Sequence, residues 1–478
     1  MAPVPRAGEH DSPHRAPCGA AVIFGDPNAF LGYAPTSAAV LGICVVFLAG
    51  CLVTAWAGRV PGQRLNVGVL LYLWLALVGV VLYRTFGPFF LGTDGPLYDA
   101  QALGIAQKMS GELDGGGLSL RQGKVGWPTM LGVVYAVMGR VPLAGILINC
   151  AVVAVSAAIT QKAAVVAWGR CSTVRLLAVF GLVPCFMVLG PSLMREPLCW
   201  LGSAMITYAV VHRMRLGTTR WASLLAGALL LLWVRTLLGV LVIGGYLLGY
   251  LFLRLKNRYG WSLALVGVGL LSSSLLLAAG PALALAGQDF ASVAAGRTYL
   301  ADEVTTGFAQ IPDYSGGALG LVTVALKTLP PVALGPFPWE IGFSGVWLWV
   351  LANSVAWWMV LVAVVQAARR SRRDDVVMLC SIAGLAVLIG MSAMLTNYGI
   401  VVRIRSDVLV MLAPVVMGVA ARPVAGPAAG TGRPDEPGRP RRRRPGRRAT
   451  APRAAAVVER VPVLAVPRGA DSGGAREG

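Results

Sequence analysis

The chain has 478 residues, of which 56% are hydrophobic and only 13% are charged. A soluble domain usually carries about a quarter charged residues, so this composition argues against a water-soluble enzyme and indicates lipid as the solvent for most of the chain. The formal net charge of +20 would suggest nucleic acid in a soluble protein. In a membrane protein basic residues mark the cytoplasmic loops instead, and we expect no nucleic-acid partner.

The apolar runs are continuous rather than alternating, which predicts spanning helices and not a barrel. We predict an all-α, polytopic membrane bundle of about eleven spans. A further apolar piece, Met130 to Met138, is too short to cross and is expected to dip into the membrane or lie flat on it. The predicted spans are approximately 38–56, 66–83, 143–168, 176–190, 197–211, 221–234, 236–253, 260–283, 346–367, 376–395 and 406–421.

Sidedness follows from the connections between these spans. The short basic loops are at Arg59, Arg170, Arg213, Arg254 and Arg369, and the positive-inside rule places them in the cytoplasm. Two long loops, 84–142 and 284–345, then face outward. We therefore predict a multi-pass protein of the cytoplasmic membrane with a cytoplasmic C-terminus. A short helix near 20–31 would reverse the side of the N-terminus.

The domain organisation predicted from this pattern has three parts. A polar N-terminal segment covers 1–37, the transmembrane domain covers 38–421, and an Arg/Pro-rich tail covers 422–478. The tail cannot bury enough apolar surface to fold, so we expect it to be disordered. Its cations either bind anionic membrane lipid or simply fix the topology.

The first long loop contains two carboxylates and a tyrosine at the start of a predicted helix: Asp94, Tyr98 and Asp99. Apolar residues recur at every third position from Leu97 to Met109, which favours a helix lying on the outer leaflet. Asp94 suits an N-cap followed by a proline, and it also suits a general base that accepts a proton from a hydroxyl group. Both roles are compatible.

Four arginines lie at predicted outer ends of helices, against the positive-inside trend: Arg195, Arg235, Arg403 and Arg405. Three of the helices that follow run inward, and a cation at a helix N-terminus is unfavourable. A bound phosphate or pyrophosphate would compensate these charges, because helix N-termini and arginine forks both suit phosphate oxygens. The alternative is an ordinary set of ion pairs, Arg195 with Glu196 and Arg405 with Asp407.

Two further residues flank this predicted site. Lys124, a further predicted phosphate or lipid ligand, precedes the return of the first outer loop to the membrane. Trp339 belongs to a stiff Pro-Phe-Pro-Trp segment of the second outer loop. Trp339 is either an interfacial anchor or part of a lining for a sugar or lipid chain.

Cofactor sites are weakly indicated. The three histidines, at 10, 14 and 212, lie away from the predicted outer face, and the eight cysteines form no CxxC pair. We therefore predict no histidine or cysteine metal site, and any base is a carboxylate. No cofactor is certain, and a divalent metal remains open.

The outer loop with Asp94 and Tyr98, re-entering through Gly126-Trp127-Pro128, resembles the GT-C superfamily of membrane glycosyltransferases. The segments Ser192-x-x-Arg195-Glu196, Gly335-Pro-Phe-Pro-Trp339, Asn397-Tyr-Gly399 and Arg403-x-Arg405 resemble bacterial polysaccharide repeat-unit polymerases. The resemblance implies Asp94 as base, the arginines as ligands of a lipid phosphate, and Tyr98, Glu196 and Trp339 in support. GT-C enzymes often have adjacent acids here, whereas Gly95 follows Asp94 and the next acid is Asp99, which leaves metal use open.

The expected function is therefore glycosyl transfer or oligosaccharide polymerisation in cell-envelope polysaccharide assembly. The implied partners are a polyprenyl-(pyro)phosphate-linked sugar donor and a glycan or lipid-linked acceptor at the outer face of the membrane. Asp99 is the alternative base. A flippase or transporter is a second hypothesis, less favoured because transporters tend to place ionisable groups near the midplane and the predicted spans are almost free of charge. A non-catalytic assembly protein is the third.

Overall fold

The architecture is that of a computed structural model, which describes residues 37–60, 65–87, 94–111, 125–262, 306, 308, 317–370 and 374–419. The chain divides into two units, Met1–Arg422 and Pro423–Gly478, and the second lies wholly outside the described residues. So do nearly all of the N-terminal segment, Lys124 and almost all of the predicted span 260–283.

The described residues are helical and contain no β-strand. The described part of the chain forms thirteen α-helices, with a π-helical turn at Cys185–Leu189 and a 3-10 turn at Pro338–Glu340. The helices are α1 (Ser37–Ala57), α2 (Val67–Phe86), α3 (Asp94–Met109), α4 (Gly126–Met138), α5 (Pro142–Trp168), α6 (Thr173–Leu182), α7 (Glu196–Leu216), α8 (Trp221–Val234), α9 (Thr236–Tyr259), α10 (Gly317–Leu334), α11 (Gly345–Arg370), α12 (Asp375–Ser392) and α13 (Tyr398–Val419).

Six of the described helices, namely α1, α2, α5, α9, α11 and α12, are long and apolar enough to cross a membrane. Shorter apolar helices are α4, α6, α8 and the part of α10 from Val322 to Leu334. The all-α class is thus confirmed for the described residues, and the six apolar helices indicate a membrane protein. The larger number of spans and the sidedness remain predictions.

Small residues allow the helices to pack closely. On α9, a Cβ added to Gly245 would lie 2.9 Å from the carbonyl oxygen of Ala383, and one added to Gly249 would lie 2.7 Å from Leu379 Cδ1. Both partners belong to α12, so the GxxxG pattern at Gly245 and Gly249 is a helix-packing surface. The central helix α5 likewise buries alanines along much of its length, against α1, α2, α7 and α13.

The predicted fourth span is broken. Helix α6 ends at Leu182, Pro184 follows, and the chain continues as a π-helical turn to Leu189. Proline lacks a backbone N–H and clashes with the preceding turn, which explains the interruption. The region 176–190 is therefore not one continuous helix.

The two predicted outer loops also contain helices. Residues 84–142 include α3 and α4, and residues 284–345 include α10. Another difference bears on the site: α13 begins at Tyr398 and not near Ser406, so Arg403 and Arg405 lie within a helix. Their predicted placement in a short loop was wrong, because the charges are satisfied by distant parts of the fold.

Candidate functional site

Asp94 and Arg403 form an ion pair between parts of the chain that are 309 residues apart. Arg403 Nη1 lies 2.5 Å from Asp94 Oδ2 and 3.6 Å from Glu196 Oε1. Asp94 is the first residue of α3, Glu196 is the first residue of α7, and Arg403 lies in the second turn of α13. The contact therefore joins the N-terminal ends of three helices.

The two carboxylates differ in accessibility. The Asp94 side chain is 33% exposed, whereas that of Glu196 is only 1% exposed. Arg403 bridges them, so it holds an accessible carboxylate next to a buried one. Of the two, Asp94 is the group that an incoming ligand can reach.

Tyr98 and Arg195 complete this side of the site. Tyr98 is one turn along α3 from Asp94, is 2% exposed, and lies within electrostatic reach of Arg195, Glu196, Asp94 and Arg403. Burial raises the pKa of Tyr98 to about 12, so its hydroxyl group stays protonated and can serve as a hydrogen-bond donor. Burial lowers the pKa of the Arg195 guanidinium, but Tyr98, Glu196, Cys199 and Asp94 together raise it, so the net shift is upward and Arg195 stays charged.

Two further charged residues, Asp407 and Arg235, extend the network electrostatically. Asp407, on α13, is fully buried and lies within electrostatic reach of Arg235, Glu196 and Arg195. Arg235 separates α8 from α9 in an extended conformation, with φ −155°. We refer to the six residues of this network as the charge cluster: Asp94, Arg195, Glu196, Arg235, Arg403 and Asp407.

Several buried atoms of the charge cluster have no hydrogen-bond partner within the described part of the chain. The donors are Arg235 Nη1 and Arg403 Nε, and the acceptors are Glu196 Oε2 and both carboxylate oxygens of Asp407. Each such atom costs about 1–3 kcal/mol. The unpaired atoms of the charge cluster thus include both donors and acceptors.

Arg405 does not belong to the charge cluster. Its guanidinium is 3% exposed and donates to the carbonyl oxygens of Pro331, Val332 and Gly335 and to Ser354 Oγ, at 2.6–3.1 Å. The predicted pair with Asp407 is not formed, because residues two apart on a helix do not face each other. Arg405 thus closes the C-terminal end of α10, and its predicted role as a phosphate ligand has no geometric support.

Asp99 is buried between helices and does not belong to the charge cluster either. It accepts a hydrogen bond from Tyr135 Oη at 2.6 Å and pairs with Arg140, whose Nε lies 2.9 Å away. Its side chain is 1% exposed. These contacts join α3 to α4 and to the start of α5, so Asp99 is poorly placed to be the alternative base. The sequence reasoning missed Arg140, which gives no signal beyond its position after Gly139.

Trp339 is 75% exposed in the 3-10 turn and stacks on Phe337 with 5.0 Å between ring centroids. It makes no described contact with the charge cluster. Lys124 lies outside the described residues. In the described ranges, no group of three histidine, cysteine, aspartate or glutamate residues could hold a metal ion.

Comparison with known proteins identifies no relative: no protein-family model, no curated protein and no solved structure matches the chain.

Proposed function

We propose that the protein is an integral membrane glycosyltransferase or oligosaccharide polymerase that uses polyprenyl-(pyro)phosphate-linked sugars at the outer face of the cytoplasmic membrane. The observation that carries the proposal is the contact of Asp94 with Arg403. It holds an accessible carboxylate beside the partly exposed guanidinium group of Arg403, whose Nε has no partner among the described residues and suits a phosphate oxygen. The sequence resemblance to GT-C enzymes and repeat-unit polymerases supports the same function.

In the proposed reaction the hydroxyl oxygen of the acceptor attacks the anomeric carbon of the donor sugar, and the hydroxyl proton passes to Asp94. The bond from the anomeric carbon to the phosphate oxygen breaks, and its electron pair leaves with the lipid phosphate. Arg403, Arg195 and Arg235 stabilise the negative charge that develops on the leaving group. Tyr98, which stays protonated, donates a hydrogen bond to the substrate.

A purified, full-length protein in detergent tests this function. It is supplied with a polyprenyl-phosphate-linked sugar and an acceptor, and release of lipid phosphate is measured. Asp94→Asn should lower the turnover number by about 10²–10⁴-fold, the usual contribution of a general base. Arg403→Gln should lower turnover and weaken donor binding.

Asp99→Asn is the matched control, because it changes a carboxylate on the same helix that is 1% exposed and already bonded to Tyr135 and Arg140. Its turnover per folded molecule should stay close to that of the wild type. Unchanged turnover in both Asp94→Asn and Arg403→Gln would contradict the proposal.

One observation favours transport of a lipid-linked saccharide as a second candidate function. Asp407 is fully buried within α13, and ionisable groups inside helical membrane proteins frequently mark substrate or proton pathways. This placement weakens the argument that the spans are almost free of charge. Transport of a fluorescent lipid-linked sugar in proteoliposomes separates the two: loss in Asp407→Asn with retention in Asp94→Asn would favour the transporter.

A further inference from the structure

A cavity of about 570 Å³ lies between α7, α8 and α9, apart from the charge cluster. It is lined by apolar residues, among them Ile206, Leu224 and Leu247, and by Arg213, Trp221 and Tyr250. Glu196 begins α7, and Arg213 follows it 17 residues later on the same helix, roughly 25 Å away at the usual helical rise. The cavity therefore extends toward the basic end of the bundle.

Some cations at this end of the bundle are paired with carboxylates, and others are not. Arg215 pairs with Asp374 at 2.5 Å, and Lys256 pairs with Asp375 at 3.4 Å. Arg213, Arg220 and Arg254 have no carboxylate partner among the residues that the structure describes. Their positive charge is not neutralised by the described part of the protein.

Arg254 contacts Tyr250, one of the residues that line the cavity. Its guanidinium donates to Tyr250 Oη at 2.8 Å from Nη2 and lies 5.3 Å from the centre of the Tyr250 ring. Trp221, at the start of α8, is 63% exposed. Tryptophan and tyrosine with exposed arginines are typical of the membrane–water interface.

We propose that this cavity binds an anionic phospholipid of the adjoining leaflet, with one acyl chain among the apolar residues and the phosphate against Arg213 and Arg254. The apolar lining favours a hydrocarbon chain over a sugar or a nucleotide. The unneutralised arginines favour an anionic headgroup, as basic pockets between membrane helices do. The site is independent of the proposed glycosyl transfer, since it uses no residue of the charge cluster.

The test is native mass spectrometry of the full-length protein in detergent, titrated with phosphatidylglycerol or with phosphatidylcholine of the same acyl chains. The wild type should bind phosphatidylglycerol more tightly. Each of Arg213→Gln and Arg254→Gln should weaken that binding roughly fivefold, the usual effect of one cation near an anionic lipid. The matched control is Arg369→Gln with Arg370→Gln, two exposed arginines in the last turn of α11 that should have no effect.

A second variant tests whether the apolar residues of the cavity bind the acyl chain of the lipid. Ala228→Phe places a ring in the cavity and should reduce binding without removing any charge; Leu224→Phe serves the same purpose if Ala228→Phe does not fold, as judged by gel filtration and melting. Equal binding of both lipids, or a loss in the Arg369/Arg370 control as large as in the arginine variants, would overturn the proposal. Unchanged phosphatidylglycerol binding in the Ala228→Phe or Leu224→Phe variant would also overturn it, as would binding of polyprenyl phosphate in place of phosphatidylglycerol.

Discussion

Arg405 shows how one charged residue can be accommodated in an apolar bundle without a carboxylate. Its guanidinium donates to three carbonyl oxygens and one hydroxyl group. Two of those carbonyls, Pro331 and Val332, belong to the last turn of α10, where a helix carries partial negative charge. The Pro331 carbonyl oxygen also accepts from the Gly335 N–H at 3.0 Å. The cation is therefore matched by a helix terminus.

Replacement of Arg405 should destabilise the protein. Arg405→Ala leaves these buried acceptors without their charged donor, and we expect a loss of about 2 kcal/mol in unfolding free energy. Arg405→Lys should restore only part of it, because an ammonium group lacks the planar fork of donors. Thermal unfolding in detergent measures both, with the exposed Arg369→Ala as control. If all three variants melted together with the wild type, Arg405 would have no role in closing α10.

Tyr98 makes a pH-dependent contribution to stability. Its pKa is raised from 10 to about 12, so the folded state favours the neutral phenol. The associated stability is fully present below pH 10 and is lost as the pH rises toward 12. We expect the wild type to lose up to roughly 2 kcal/mol more than Tyr98→Phe between these limits. Melting at pH 9 and 11.5 measures this difference, and equal losses in the two proteins would contradict it.

At the scale of elements, the end of α10 is closed by side chains from two other helices. Arg405 of α13 donates to the carbonyl oxygens of Pro331 and Val332. On α11, Trp357 Nε1 donates to the Ala333 carbonyl oxygen and Trp358 Nε1 to that of Leu334, both at 2.7 Å. The last four carbonyl groups of α10 thus all receive a side-chain donor. These contacts fasten α10 to α11 and α13 and so help to fix the position of Arg403 two residues earlier on α13.

The helix α3 is fastened in a similar way. Asp99 accepts hydrogen bonds from Tyr135 of α4 and from Arg140 of the α4–α5 connection, and these contacts join α3 to its neighbours. We expect Asp99→Asn to weaken the Arg140 ion pair and lower the unfolding free energy by about 3 kcal/mol, because it leaves a partly buried cation without its counter-charge. Chemical unfolding of the variant in detergent measures the loss. Arg140→Gln should have a similar effect, and additive losses in the double variant would contradict a shared contact.

Sequence patterns predicted the helices well where an apolar run lies between polar ends. The interval 221–234 agrees with α8 at both ends, and the third predicted span agrees with α5 to within one residue. They failed at α13, where three charges within five residues look like a loop because charged side chains are costly in lipid. The partners that offset this cost, Asp94 and the end of α10, are distant in the sequence. Local patterns cannot reveal them.

The site was predictable to a similar extent. Because Arg195 and Arg235 immediately precede predicted helices, the sequence indicated them as site residues. In the structure Arg195 and Arg403 both lie within electrostatic reach of Tyr98, and Arg195 and Arg235 both lie within reach of Asp407. The same reasoning could not separate Arg403 from Arg405, which are two residues apart and face different surroundings. Nor could it separate Asp94 from Asp99, because both lie in the first turns of one helix.

For the whole molecule, the two ends of the bundle have different chemistry. At one end, α3, α7, α9 and α13 contribute the charge cluster: Asp94 and Glu196 begin α3 and α7, Arg195 and Arg235 immediately precede α7 and α9, and Arg403 and Asp407 lie in the second and third turns of α13. At the other, Arg215 and Lys256 pair with Asp374 and Asp375, which joins the ends of α7 and α9 to the start of α12. The proposed function requires the charge cluster to face outward and the ion-paired end to face the cytoplasm.

Cysteine labelling tests this orientation. In a variant whose native cysteines are replaced, Ser315→Cys in the predicted second outer loop should react with a membrane-impermeant maleimide added to intact cells. Thr218→Cys, which is exposed between α7 and α8, should react only after the membrane is permeabilised, because the positive-inside rule predicts a cytoplasmic location for this basic connection. The reverse pattern would turn the charge cluster toward the cytoplasm. A polyprenyl-linked donor at the outer face could then not reach Asp94, and the proposed enzyme would be excluded together with its topology.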